Sequence, residues 1–152
     1  MKKNFLFIAL AAIFAFASCT KTQTVTETVT VDTATPQGTF TKTKMGTLVA
    51  QNGTPTKGTV QIGTDTKSTY FLKFGTDFTT ELGTGTATVY LSTSATYKAD
   101  PGKGNPDLKL LGIVAKNGEQ YIKMAAAPES KFTHLIIWCG SASIPFGNTP
   151  LN

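Results

Sequence analysis

Beyond Gly46 the chain is organised by a two-residue alternation of polar and apolar positions, the period of a strand with one buried face. Thr59-Val60-Gln61-Ile62 alternates, as does Thr86-Ala87-Thr88-Val89-Tyr90-Leu91, which places Ala87, Val89 and Leu91 on one face. Tyr70-Phe71-Leu72-Lys73-Phe74 is aromatic and β-prone. Leu108 to Ala115 and Gln120 to Met124 form two further candidates. The Asn117-Gly118 pair between them readily takes positive φ and predicts a hairpin. Lys131 to Cys139 is the last clear strand. Gly, Pro, Asn and Asp separate these runs, most densely in Asp100-Pro101-Gly102-Lys103-Gly104-Asn105-Pro106. No run has a helical period with caps; Pro128-Glu129-Ser130 offers one turn of helix at most. Short strands at this spacing predict an all-β domain over 45–152, a single antiparallel β-sandwich or small barrel. Its expected core contains Val60, Ile62, Leu72, Val89, Leu91, Leu135 and Ile137.

The N-terminal third follows different rules. Residues 20–44 are dominated by threonine, with Val25, Val29 and Val31 among them, and carry too little apolar surface to fold alone. They read as an extended tether, although Thr24-Val25-Thr26 also has the alternation of a strand. Before them, Lys2 and Lys3 precede the apolar run Phe5 to Phe16, which is too short for a permanent span. The following Phe16-Ala17-Ser18-Cys19 resembles the lipobox cut by the lipoprotein signal peptidase, with Phe16 in place of the usual leucine. The resemblance implies a signal peptide over 1–18, lipid attachment at Cys19 and a tether over 19–44. It also implies a location in the cell envelope. Surface-exported lipoproteins resemble one another in an acidic stretch just after the lipid cysteine; here Thr20-Lys21-Thr22-Gln23 follows, so the outer membrane facing the periplasm is expected. Asp32-Thr33-Ala34 resembles a short bacterial O-glycosylation acceptor, with Thr33 as the modified residue.

Charge and chemistry narrow the function classes. The net charge of +5 includes Lys2 and Lys3, so the chain from Cys19 carries +3 from side chains. All of the positive charge is lysine, scattered rather than clustered with aromatics, so no nucleic-acid partner is expected. The single histidine, His134, rules out a blue-copper site and a bis-histidine haem, and no C-x-x-C-H run is present. Asp65, Asp77, Glu81, Asp100, Asp107, Glu119 and Glu129 suggest no paired-carboxylate site. Asp100 and Asp107, in one Gly/Pro loop, miss the spacing of a calcium loop and read as a solvated turn. No metal, no cofactor and no enzymatic activity are expected.

Two cysteines remain, Cys19 and Cys139. With Cys19 lipidated, Cys139 has no partner in the chain and must be buried, paired elsewhere or used. Leu135, Ile137 and Cys139 share one strand face; His134, Ile136 and Trp138 share the other. His134 therefore cannot serve Cys139 as a general base within one strand. Apolar companions favour an inward, inert thiol, whereas Gly140-Ser141 places Cys139 at a strand end where a side chain can be supported and reached. Both readings stand on the residues alone.

Ile137-Trp138-Cys139, followed by Ile144-Pro145-Phe146-Gly147 and Leu151, resembles the C-terminal signature of the electron-transfer DM-thirteen domain. Gly58-Thr59-Val60, Tyr70 to Phe74, Val89-Tyr90-Leu91-Ser92, Leu111-Gly112 and Gly118-Glu119-Gln120 resemble its earlier segments. The likeness runs from about Phe40 to the C-terminus. Two departures stand out: Thr84-Gly85-Thr86-Ala87 replaces a Gly-Pro-Asp-Leu stretch, and Ala142 replaces an aromatic. The resemblance implies a β-fold electron-transfer module working through Cys139 as a redox thiol, with Trp138, Phe146 and Gly147 as supporting residues and a redox partner protein. The alternative is a non-catalytic binding or adhesion module of the envelope with the same fold.

Overall fold

The computed structural model describes residues 34–98 and 105–152. The signal over 1–18, Cys19, Thr33, Asp100 and most of the expected tether lie outside the described residues. Eight strands are formed there: β1 (Thr41–Ala50), β2 (Gly58–Thr64), β3 (Tyr70–Phe74), β4 (Ala87–Ser92), β5 (Leu108–Ile113), β6 (Gln120–Met124), β7 (His134–Cys139) and β8 (Ile144–Pro150). All pairings are antiparallel, in the order β5-β4-β7-β8-β1-β2-β3-β6, and no helix occurs among the described residues.

The alternation in the sequence becomes the inner face of a nearly closed barrel. Val60, Ile62, Leu72, Val89, Leu91, Leu135 and Ile137 are all fully buried, as expected. Phe74 and Phe78 pack their rings 4.2 Å apart in the same core, which also holds Phe146 and Leu151. Burying such large side chains is the main source of stability for a domain of this size.

β1 closes the structure. Its residues Thr41 to Leu48 pair with β2, while Val49 and Ala50 pair with Asn148 and Gly147 of β8. One long strand therefore joins the β2-β3-β6 group to the β8-β7-β4-β5 group. The expected boundary at residue 45 falls inside this strand; pairing starts at Thr41. The residues before it also dock. The Gln37 amide donates to Asp65 Oδ2 at 3.0 Å, and Thr66 donates to the Gln37 carbonyl through its amide at 3.1 Å and its hydroxyl at 2.6 Å. Phe40 then meets Tyr121 edge-on, and Tyr121 meets Phe71. Phe71 points out of the barrel yet is 1% exposed, because these rings cover it. A threonine-rich segment conceals this docking, since its anchors are the backbone amide and carbonyl of Gln37 and one ring.

The hairpin expected at Asn117-Gly118 is corrected. Gly118 has the positive φ of a turn (80°), but β5 and β6 do not pair. β5 pairs with β4, and β6 with β3. The turn is captured by a different loop. The Gly118 amide donates to Phe78 O at 2.8 Å, and the Thr80 amide donates to Asn117 Oδ1 at 2.8 Å. β5 and β6 become the two edges of the sheet and face each other through side chains: a Cβ at Gly112 would lie 3.2 Å from Ile122 Cγ2.

β8 is a strand that the sequence conceals. In Ile144-Pro145-Phe146-Gly147 the strand formers Ile144 and Phe146 are separated by Pro145 and Gly147, residues depleted in strands. β8 pairs with β7 across a register shift between Ile137 and Trp138, which admits Pro145 without a ladder donor.

Candidate functional site

Cys139 ends β7, opposite Ala87 of β4 on one side and Ile144 of β8 on the other. Its side chain belongs to the core, is 0% exposed and forms no disulfide. The inward face predicted from Leu135 and Ile137 is therefore observed. What lies over the sulfur was not legible in the sequence.

Sγ sits 3.2 Å from Ser141 Oγ, and Ser141 Oγ donates to the Thr84 carbonyl at 2.8 Å. A carbonyl only accepts, so the hydroxyl hydrogen is committed to Thr84. A protonated Cys139 then donates its S–H to Ser141, and a thiolate would draw the hydroxyl hydrogen to itself. Gly85 completes the cover. Its φ of 136° is strained for any side chain, and a Cβ there would collide with Ser141 Oγ while lying 3.9 Å from Sγ. Thr84, Gly85 and Ser141 are all exposed. The sulfur is thus shut off from water by one layer of atoms.

The same contacts set the thiol's acidity. The Ser141 hydroxyl, with the backbone amides of Ala142 and Ser141, holds Cys139 below the ordinary thiol range, while burial opposes them. Amides that follow a strand end in a tight turn concentrate positive potential on one atom. Thr84 to Ala87, the stretch standing in place of Gly-Pro-Asp-Leu, is the segment that roofs the sulfur. Thr86 and Ala142, at the positions of the expected aspartate and aromatic, are exposed.

The other candidate residues separate. Trp138 points away from the core and stacks on Tyr97, with ring centroids 3.9 Å apart and planes 13° from parallel. Tyr97 in turn meets Tyr90 at 5.2 Å. Phe146 lies in the core that also holds Cys139, and Gly147 pairs with Ile137 and Ala50 where its backbone approaches Thr56 closely. His134 is at the far end of β7, with Nδ1 2.9 Å from Thr133 Oγ1. Among the described residues no three His, Cys, Asp or Glu side chains gather into a metal-binding group. A shallow open cleft lies between Ala50, Thr54, Thr56, Lys57, Thr80 and Asn117.

Ser141, Thr84 and Gly85 are the residues that sequence reasoning missed. Gly140-Ser141 signalled a turn, and Thr84 to Ala87 signalled a departure from a family pattern. Nothing in the sequence joined the two across 57 positions until the Ala87–Cys139 register did so.

No curated protein and no solved structure matches the chain. The pattern of the family described as Electron transfer DM13 matches residues 47–151, from the middle of β1 to the residue before the C-terminus. The match takes in the end of β1, all of β2 to β8 and the covered thiol, and the chain belongs to the electron transfer DM13 family.

Proposed function

We propose that this protein is a lipid-anchored, extracytoplasmic electron-transfer module that works through the single thiol of Cys139 and performs no catalysis of its own. The observation that carries this reading is the cover over the sulfur. Cys139 is held by hydrogen bonds that favour its thiolate, and the layer above it consists of a glycine backbone and one hydroxyl. An inert core thiol needs neither. Thiolate character is what thiol redox chemistry requires. The Lys2-to-Cys19 pattern supports a lipid anchor, with the protein on the periplasmic side of the outer membrane and a redox protein as its partner.

The test is thiol labelling of the folded protein beside the stability of Cys139→Ser. Labelling much faster than global unfolding, with little stability lost in the serine variant, is expected. A thiol protected until the whole domain unfolds, with a strongly destabilised serine variant, would make Cys139 a packing residue.

That outcome would favour the second reading, a binding or adhesion module. The complete burial of the sulfur among Ala87, Leu135 and Ile137 supports it, and the cleft beside Lys57 gives such a module a threonine-lined surface.

A further inference from the structure

We propose that Trp138 and Tyr97 form the port through which oxidising equivalents enter this domain, with Cys139 as their destination. The inference rests on the redox reading of Cys139 and names its route.

A thiol that exchanges disulfides must present its sulfur to direct attack. With its cover in place Cys139 presents none: its exposure is 0%, and Gly85 and Ser141 close the approach, so labelling and exchange both wait for this single layer to open. A single electron has no such requirement, because it can cross a peptide unit. Trp138 is the residue next to Cys139, yet successive side chains of a strand take opposite faces. The indole therefore lies outside the barrel, half-buried, while the sulfur lies inside. One peptide bond and two short side-chain stems connect them.

The outer face is built to hold the indole still. The 93–98 segment folds back over β4 and β7: Asn148 Nδ2 donates to Ala95 O at 3.1 Å, and Tyr97 is wedged between Tyr90 and Trp138. Near-parallel stacking at 3.9 Å lets the two rings share a positive charge and lowers the cost of removing an electron. Tryptophan and tyrosine are, with cysteine, the side chains that give up an electron most readily.

A high-potential one-electron oxidant, of the ferryl-haem or oxygen-radical class, removes one electron from the Trp138 indole at the surface. Cys139 refills the indole. Its S–H bond breaks, the proton leaves toward solvent through the exposed Ser141 hydroxyl that already accepts it, and the sulfur remains as a thiyl radical. The oxidant has gained one electron, Cys139 has lost one, and one proton has entered the water. The lowered thiol pKa favours the same direction.

Trp138 is the sole tryptophan, so its radical can be read without ambiguity. The experiment uses the full chain in a Cys19→Ala background, where Cys139 is the remaining thiol, and photogenerated tris(bipyridine)ruthenium(III) as the oxidant. Indole radical and residual thiol are followed together. A short-lived indole radical with loss of thiol is expected. Cys139→Ser should prolong that radical, and Trp138→Phe, which keeps an aromatic ring in the stack but resists oxidation, should slow thiol loss about tenfold. Unchanged thermal unfolding of Trp138→Phe keeps that result from being a folding defect; should the variant unfold early, Tyr97→Leu, expected to slow thiol loss in the same direction, replaces it. Thiol loss at the wild-type rate in the variant that remains folded would overturn the route while leaving a redox Cys139 in place. An indole radical that forms without any thiol loss would overturn the redox reading itself.

Discussion

Ser141 Oγ stands 3.2 Å from Cys139 Sγ and 2.8 Å from the Thr84 carbonyl, so one hydroxyl both caps the thiol and ties the end of β7 to the chain entering β4. A turn residue thereby controls the acidity and the access of a core sulfur.

Ser141→Ala removes the foremost contact that lowers the Cys139 pKa and leaves burial, which raises it. The midpoint of the pH profile for thiol labelling should therefore move upward. Comparing midpoints rather than rates separates acidity from the thinner cover that the alanine leaves. The loss of stability should be about 1–3 kcal/mol, the scale of two neutral hydrogen bonds. An unchanged midpoint would mean that the hydroxyl does not set the acidity.

Leu135→Ala tests the core. Leu135 is fully buried on β7, between Leu91 and Thr149, four residues from Cys139 on the same face. The truncation should cost about 2–5 kcal/mol, measured by urea unfolding. A loss below that range would mean that the barrel interior collapses around the missing atoms.

Asp65 ties down the residues that precede β1. It accepts from the Gln37 amide, and from the Lys67 and Thr69 amides at 2.9 Å each. The Gln37 bond is the foremost cause that holds its pKa below the ordinary carboxylate value, with burial opposing. A carboxyl with a lowered folded-state pKa gives stability that is present above the unfolded pKa and lost as pH falls through the folded one. The domain should therefore weaken progressively as pH falls below about 4. In Asp65→Asn this part of the acid dependence should be gone, and amide exchange at Gln37 should be faster at neutral pH. An acid profile identical to wild type would remove Asp65 from the account.

Cys19→Ala should release the protein from the membrane fraction, and protease added to intact cells should leave the wild-type protein whole. A variant that still fractionates with membranes would end the lipid-anchor reading. Rapid digestion in intact cells would move the protein to the outer surface.

The sequence by itself determined the strands whose side chains alternate, β2 and β4, and the residues they bury. It did so because a strand with one wet and one dry face must repeat every two residues, and that constraint is local. It also determined that Cys139 and Trp138 take opposite faces, since adjacent residues on a strand cannot share one. The family pattern was legible in Ile137-Trp138-Cys139 and Phe146-Gly147 for the same reason: these are short contiguous runs. What the tertiary structure decided was every relationship between distant segments. β8 is a strand because β7 and β1 supply its partners. β5 and β6 are edges because the loop at Phe78 to Thr80 captures the Asn117-Gly118 turn that a local rule assigns to a hairpin. Residues 37–40 belong to the domain because Asp65, Thr66 and Tyr121 receive them. The cover over Cys139 exists because the register of β4 against β7 brings Thr84 and Gly85 to Ser141. Pairing partners are chosen by loop closure and shared burial across the whole chain, and no window of neighbouring residues contains that information.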